Sequence, residues 1–280
     1  TSQFEMAGNP KENQIAGAIH DRIDHVWPII SKRVRNIPEY SELFVKAFDH
    51  IENAADVTMV EIAEALSAFI NAEWRSYDAP FDEYIAGNSN ALTPPQKRGL
   101  DLFYNKANCA SCHSGQLFTD HDFHALALPP FGPGRTRRFD PFTRDVGRMG
   151  ETDLLEDAYR FRTPSIRNVT LTAPYGHNGA YATLEGIIRH HLTPLESLQQ
   201  WEPKQANLPD VPWVSQIDYL VHDDKREMAR IKAHVDIKPV ALEDDEINDL
   251  LDFLTALEGK TAHKLPFGRP YKVPSKLPVD

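Results

Sequence analysis

The stretch Cys109-Ala110-Ser111-Cys112-His113 decides how the rest of this chain is interpreted. It has the C-x-x-C-H pattern of a c-type haem attachment site, in which two thiols form thioethers with the vinyl groups of one porphyrin. The histidine that follows places an imidazole at the iron. Cys109 and Cys112 are the only cysteines among the 280 residues, so one haem uses both and leaves no thiol for a structural disulfide.

Two other kinds of site could use the same cysteines. A structural zinc site could combine them with His121 and His124, although the loop between the pairs is shorter than that of the usual zinc finger. A thioredoxin-like redox pair needs the C-x-x-C at the end of a strand in a βαβ unit, whereas the residues ahead of Cys109 have a helical pattern. The spacing favours haem, and both alternatives stay open at this point.

The composition argues against a membrane-spanning protein and against nucleic acid as a partner. The chain is 41% hydrophobic and 25% charged, with a mean hydropathy of -0.46, and it has no stretch near the roughly 18 apolar residues of a membrane span. Its formal net charge of -11 argues against nucleic acid as a partner and suits a cationic redox protein. Because covalent haem attachment takes place outside the bacterial cytoplasm, we expect a periplasmic protein whose export signal has been removed.

Apolar periodicity predicts an all-α fold with long loops. The spacing of Ile15, Val26 and Ile30 predicts a helical segment that bends or ends near Pro28. Thr58 and Glu61 have capping-box spacing, and the predicted buried face that follows consists of Ile62, Ala65, Leu66, Phe69 and Ile70. A helix opening at Thr93-Pro94-Pro95 leads into the haem motif, and an acidic first turn at 243–246 opens another that stops near Gly259. These two helices, packed on each other, are typical of a cytochrome c domain.

The second axial face of the haem iron decides between electron transfer and catalysis. In the segment 183–191, Leu184, Ile187, Ile188 and His191 share one helical face, whereas His190 lies at its edge. An imidazole on an apolar face needs a partner, and iron would supply one. A core histidine bonded to the backbone is the alternative interpretation.

Several separated segments, in the same order, resemble the carboxyl-terminal haem half of the bacterial di-haem cytochrome c peroxidase and MauG superfamily. The resemblance covers about residues 58–195 and 240–258. The segments that carry it are 65–69, 80–84, 99–119, 161–169 and 172–179. It implies a cytochrome c-like haem domain with extra amino-terminal helices, and a peroxidase-type oxidoreductase as its function.

The resemblance implies roles for individual residues. The distal ligand of the family's second haem lies seventeen residues after the proline of the T-x-P-Y motif, and that count from Pro174 reaches His191. The peroxidases have methionine there and MauG-like members have tyrosine, so a histidine departs from both. A bis-histidine haem is normally six-coordinate, low-spin and low in potential, with no open site for peroxide.

Other matches concern the surroundings of the haem. Arg162 matches the family arginine near the haem propionates, and His177 matches a histidine in the same polar shell. Thr172 and Pro174 match positions whose carbonyl oxygens help to hold calcium, a cation that prefers oxygen ligands.

The catalytic haem of the family belongs to a first C-x-x-C-H motif, whereas this chain has a single motif. Residues 4–8 resemble the segment that follows the first haem domain, where a distal glutamate transfers protons during peroxide cleavage. Glu5 matches that glutamate. The resemblance therefore implies that a second haem-bearing domain or chain completes the catalytic site.

The resulting domain prediction has an amino-terminal helical segment at 1–57, a haem domain at 58–265 with an insertion at about 193–240, and a proline-rich tail at 266–280. The leading hypothesis is the electron-transfer half of a di-haem peroxidase or MauG-like enzyme. Its redox partner would be a small cytochrome, a cupredoxin or a protein substrate, and its oligomeric state is left open. The alternative is a mono-haem electron carrier without catalysis of its own.

Overall fold

A computed structural model describes residues 11, 13–132, 144–208, 215, 217–264 and 270–278, and Glu5 lies outside these residues. The described chain is mainly α-helical, as predicted. Its helices are α1 (Gln14–Asp21), α2 (Val26–Arg35), α3 (Pro38–Ala47), α4 (Met59–Glu73), α5 (Pro80–Ile85), α6 (Pro94–Tyr104), α7 (Met149–Thr152), α8 (Leu184–Leu192), α9 (Pro194–Gln200), α10 (Leu220–Asp223), α11 (Lys225–His234) and α12 (Asp244–Thr255). Within this described part, no helix is both long enough and apolar enough to cross a membrane.

Two short strands interrupt the helices. Strand β1 (Phe123–His124) pairs antiparallel with β2 (Phe161–Arg162), with Phe123 opposite Arg162. The pairing ties the loop after the haem motif to the segment that contains Arg162.

The chain divides into two compact units. The first unit comprises Thr1–Arg75 and Lys264–Asp280, and the second comprises Ser76–His263. All of the haem motif, α8 and the insertion belong to the second unit. The boundaries drawn from the sequence at 57/58 and 265/266 stay a prediction.

Helix α4 of the first unit confirms one prediction and corrects another. Its capping box is present, since the Glu61 carboxylate accepts from the Thr58 backbone N–H at 2.8 Å and the Thr58 hydroxyl accepts from the Val60 N–H. The predicted buried face is wrong beyond the first turn, because Leu66, Phe69 and Ile70 are exposed. The core cluster that this helix joins contains Ile51, Val57 and Ile62, and it reaches only the start of the helix.

The first predicted helical segment is also divided differently. The break falls between Asp21 and Val26, and Pro28 lies inside the first turn of α2. Proline is tolerated there because the first backbone N–H groups of a helix have no intrahelical acceptor.

The second unit is organised around the contact between α6 and α12, as predicted. A Cβ atom at Gly99 would lie 1.9 Å from the backbone oxygen of Asp249, so a glycine is needed where the two helices approach. Around this contact the rings of Phe81, Phe103, Phe118 and Phe253 pack with centroids 5.2 to 6.1 Å apart. Burial of these aromatic and leucine side chains supplies the main stabilisation of the unit.

The insertion at 193–240 packs into the second unit. Trp201 is buried, its ring stacks on Phe131 with centroids 5.5 Å apart, and its indole N–H donates to the Ala180 carbonyl at 2.9 Å. Farther along, the buried Glu227 carboxylate accepts from the Tyr159 hydroxyl at 2.6 Å. Pro209, Pro212 and Trp213 of the insertion lie outside the described residues.

Candidate haem centre

Helix α6 delivers the chain into the haem motif through a tight turn. Asn108 has the left-handed φ of 54°, and Cys109–Ser111 then form a 3-10 turn. The turn closes with the His113 N–H donating to the Cys109 carbonyl at 2.9 Å. Both cysteines are free thiols and half-buried. Burial raises the pKa of Cys109 to about 11 and also raises that of Cys112, so both are protonated at neutral pH.

His113 is held in one tautomer. Its Nδ1 atom lies 3.1 Å from the carbonyl oxygen of Phe118. Because a carbonyl only accepts, Nδ1 carries the hydrogen and Nε2 has a free lone pair, as an iron ligand requires. Burial lowers the pKa of His113, and repulsion from His191, were that ring protonated, would lower it further. The ring is therefore neutral at pH 7.

His191 has the same arrangement on α8. Its Nδ1 atom lies 2.8 Å from the carbonyl oxygen of Ile187, so Nδ1 is the donor and Nε2 is again left with a lone pair. Burial lowers its pKa. Thr183 caps the start of α8, where its hydroxyl accepts from the Gly186 N–H at 3.1 Å. Both histidines are therefore neutral with an available Nε2 atom, and His191 lies close enough to His113 to influence its pKa.

His190 occupies a different environment from the edge position expected of it. It is fully buried, with Nε2 at 2.8 Å from the Leu126 carbonyl oxygen and Nδ1 at 2.8 Å from the Tyr181 hydroxyl. Helical phase alone could not identify this role, because Leu126 lies 64 residues away in sequence. Tyr181 carried no signal in the sequence beyond being aromatic.

Arg162 and His177 lie on adjoining parts of the surface. The Arg162 guanidinium is 2.9 Å from Nδ1 of His121. His177 stacks on Phe161, the neighbour of Arg162, with centroids 3.8 Å apart, and its Nε2 is 2.8 Å from the Asp145 carboxylate. Both side chains are exposed and polar, which suits contact with a charged group at the edge of a cofactor. Their predicted roles stay predictions.

The two residues matched to a calcium site are also exposed. Thr172 follows a 3-10 turn, and its hydroxyl donates to the Val169 carbonyl at 3.0 Å. Pro174 is preceded by a cis peptide bond. Their roles as calcium ligands stay a prediction.

The four residues considered for zinc do not assemble into one site. In the described part of the chain, the cluster of metal-ligating atoms within 4.8 Å of one another consists of Cys112, Asp120 and His124. It excludes Cys109 and His121. Within it the His124 Nε2 is already paired with the Asp120 carboxylate at 2.9 Å. Cys109 and Cys112 are free thiols next to His113 in the chain, and His191 is close enough to influence the pKa of His113. The role of these residues as haem ligands stays a prediction.

The chain is similar to several known proteins. A family model described as di-haem cytochrome c peroxidase matches residues 3–90. The chain is 29% identical over 229 residues to cytochrome-c peroxidase IdrP1 of Pseudomonas sp. (strain SCT), covering 70% of this chain and 59% of that protein. It is 34% identical over 165 residues to methylamine utilization protein MauG of Methylophilus methylotrophus, covering 57% of this chain and 43% of that protein.

A third relative is cytochrome c peroxidase Ccp of Escherichia coli (strain K12), 32% identical over 186 residues, covering 66% of this chain and 36% of that protein. The chain thus spans between about a third and three fifths of the length of these relatives. Among solved structures, a MauG-like protein associated with microbial copper homeostasis is 27% identical and covers 68% of this chain and 55% of its own, with a TM-score of 0.47.

Proposed function

Because the chain belongs to the superfamily of MauG and the di-haem cytochrome c peroxidases, we propose that it binds one haem c and relays electrons for a peroxidase-type oxidoreductase. The second haem, where peroxide or another substrate reacts, is carried by another domain or chain. The relatives named above are peroxidases and MauG, which supports this class of reaction.

The observation that carries the proposal is the matched pair of histidines. His113 and His191 each commit Nδ1 to a backbone carbonyl, and His191 lies close enough to His113 to influence its pKa. Two such imidazoles, one of them beside the attachment cysteines, would hold the iron of one haem. Bis-imidazole ligation closes both faces of the iron and favours electron transfer over binding of peroxide.

The protein's own groups have separate tasks around the cofactor. The bound haem supplies a one-electron redox couple. Cys109 and Cys112 would attach it covalently, and the carbonyls of Phe118 and Ile187 hold the rings of His113 and His191 in the tautomer that leaves Nε2 free. Arg162 and His177 would contact its propionates.

The proposed function also includes a proton-transfer residue, redox partners, a calcium site and a cellular location. Glu5 would serve as proton donor or acceptor at the second haem, and a small cytochrome, a cupredoxin or a protein substrate would exchange electrons with the pair. Calcium would be bound through the carbonyls of Thr172 and Pro174. The assembly would work in the periplasm, where c-type haem is attached.

One observation favours a second candidate function. The chain contains a single C-x-x-C-H motif and no cysteine outside it. A mono-haem electron carrier needs nothing more. The two functions differ in whether peroxide turnover appears when a second haem-bearing partner is present.

Low-temperature EPR of the ferric full chain, with haem quantified per chain, tests the ligand pair. We expect one haem per chain, a single low-spin bis-imidazole signal, and conversion to high spin in His191→Ala. The control is His234→Ala, because His234 on α11 also donates from Nδ1 to a carbonyl four residues earlier but lies outside the centre. A high-spin signal in the wild type would contradict the electron-transfer role and would indicate that peroxide reacts at this haem.

A further inference from the structure

Helix α8 presents two adjacent histidines, and only one of them can be the iron ligand. Successive residues of an α-helix are separated by about 100° around the axis. A rotation of α8 by that angle would bring His190 to the position of His191. Since both side chains offer the same imidazole donor, chemistry alone does not choose between them.

We propose that Tyr181 and the carbonyl of Leu126 hold His190 and thereby make His191 the iron ligand, with Tyr181 as a positioning residue. This inference rests on the proposed function, in which α8 supplies the second axial ligand. It adds to that function a residue, Tyr181, that does not touch the iron but decides which of the two histidines does.

The hydrogen bonds of His190 fix its tautomer. Leu126 contributes a carbonyl oxygen 2.8 Å from Nε2, and because a carbonyl only accepts, Nε2 carries the hydrogen. A neutral imidazole has one donor and one acceptor, so Nδ1 must accept the hydrogen of the Tyr181 hydroxyl, also 2.8 Å away. Both ring nitrogens are then occupied, and His190 has no lone pair left for a metal.

The surroundings of Tyr181 keep this arrangement in place. Tyr181 is 3% exposed and His190 is 0% exposed, so water cannot replace either partner. The Tyr181 oxygen is also 2.9 Å from the Ser197 hydroxyl on α9, which donates to it once the phenol hydrogen points at His190. Rotation of α8 would leave several buried polar groups without partners, which is costly in a protein interior.

The outer face of α8 provides a weaker constraint. Arg189 pairs with Glu185 and Asp244, but these side chains are 46%, 49% and 80% exposed. Exposed ion pairs contribute little to stability. Among the polar contacts between α8 and the rest of the chain, the buried bonds of His190 are therefore the ones that oppose rotation of the helix about its axis.

The test compares ferric EPR spectra of full-length, haem-loaded variants. In His191→Ala we expect a high-spin haem, because His190 remains held. In the double variant Tyr181→Phe/His191→Ala, His190 loses one buried hydrogen bond and is freed to compete for the iron. We expect its low-spin share to rise about fivefold over His191→Ala, the factor that one such bond is typically worth.

Two further variants control the comparison. Ser197→Ala/His191→Ala removes a hydroxyl beside Tyr181 but keeps the bond between Tyr181 and His190, so it should match His191→Ala. Adding His190→Ala to the double variant should abolish the recovered low-spin signal, which would identify His190 as the new ligand.

The outcomes distinguish a failure of the positioning role of Tyr181 from a failure of the proposed ligand pair. If His191→Ala is high-spin and the double variant is equally so, the positioning role of Tyr181 is overturned and the assignment of His191 as the ligand stands. If His191→Ala stays low-spin until His190 is also removed, His190 ligates the iron despite its hydrogen bonds, and the positioning role of Tyr181 is again overturned. If neither substitution changes the signal, the second ligand is not on α8, and the proposed ligand pair fails together with the inference.

Discussion

The two units of the chain differ in how completely they bury their amphipathic helices. In the second unit, α12 places Ile247, Leu250, Phe253 and Leu254 in the core. In the first unit, α4 buries only its first turn, and Phe69 and Leu66 are 40% and 55% exposed. The difference teaches that periodicity identifies an apolar face of a helix but not whether the same unit covers it.

Removing a ring from the core of the second unit should have the largest effect on stability. Phe253 is fully buried and contacts the rings of Phe81 and Phe103. We expect Phe253→Ala to cost about 3–5 kcal/mol, through lost burial and the cavity left behind. Hydrogen exchange measured by mass spectrometry should show the loss of protection in α6 and α12.

The matched control is Leu43→Ala in the first unit, where the side chain is 52% exposed and little change is expected. Equal loss of protection in both units of Phe253→Ala would show that they unfold together, and the contrast between them would then disappear.

A smaller but still clear effect is expected at the contact of α6 with α12. Gly99→Ala would force a methyl group against the Asp249 backbone oxygen, which is 1.9 Å from the Cβ position. Backbone cannot move aside as a flexible side chain can, so the helices must separate, at a cost of about 1–3 kcal/mol. Urea unfolding of the variant measures this cost.

Gly150→Ala on α7 is the control for that substitution, because the nearest atom to its Cβ position is a Val146 methyl 3.9 Å away. A Gly99→Ala protein as stable as Gly150→Ala would contradict the close helix contact.

Substitutions on the exposed stripe of α4 should change the stability of the isolated chain very little. Leu66→Gln and Phe69→Gln keep good helix propensity and remove side chains that are already in contact with solvent. We expect each to alter the free energy of unfolding by no more than about 0.5 kcal/mol. Hydrogen exchange of α4 provides the measurement, and a loss comparable with Phe253→Ala would mean that the stripe is covered in solution.

The smallest effect concerns the pH dependence of the first unit. Hydrogen bonds from Thr58 lower the pKa of Glu61 from 4.5 to about 2. A carboxyl whose pKa is lower in the folded state stabilises the fold above its ordinary pKa, and that contribution is lost as the pH falls from 4.5 towards 2. Glu61→Gln should therefore weaken the first unit at pH 7 and flatten its loss of stability in acid.

Unfolding midpoints of wild type and Glu61→Gln between pH 2 and pH 7 check this, with Glu64→Gln on the same helix as the control. Parallel curves for wild type and Glu61→Gln would show that the capping box does not carry the pH dependence.

Features that depend on neighbouring residues in the chain were predicted well. The C-x-x-C-H motif, the capping box of α4 and the α6 and α12 helices all follow from spacing within a few turns of backbone. His191 followed from helical phase together with a resemblance, and the structure places it near His113 with Nε2 available. Its role as the ligand awaits the EPR experiment.

Features that depend on distant contacts were not predictable in this way. The sequence by itself determined where the C-x-x-C-H motif lies and which helical faces are apolar, because these depend on residue type and local periodicity. Only the tertiary structure decided that His190 is fully buried between Leu126 and Tyr181, and that the stripe of α4 is exposed. Burial and hydrogen-bond partners depend on which distant segments approach, and one-dimensional spacing carries no information about that approach.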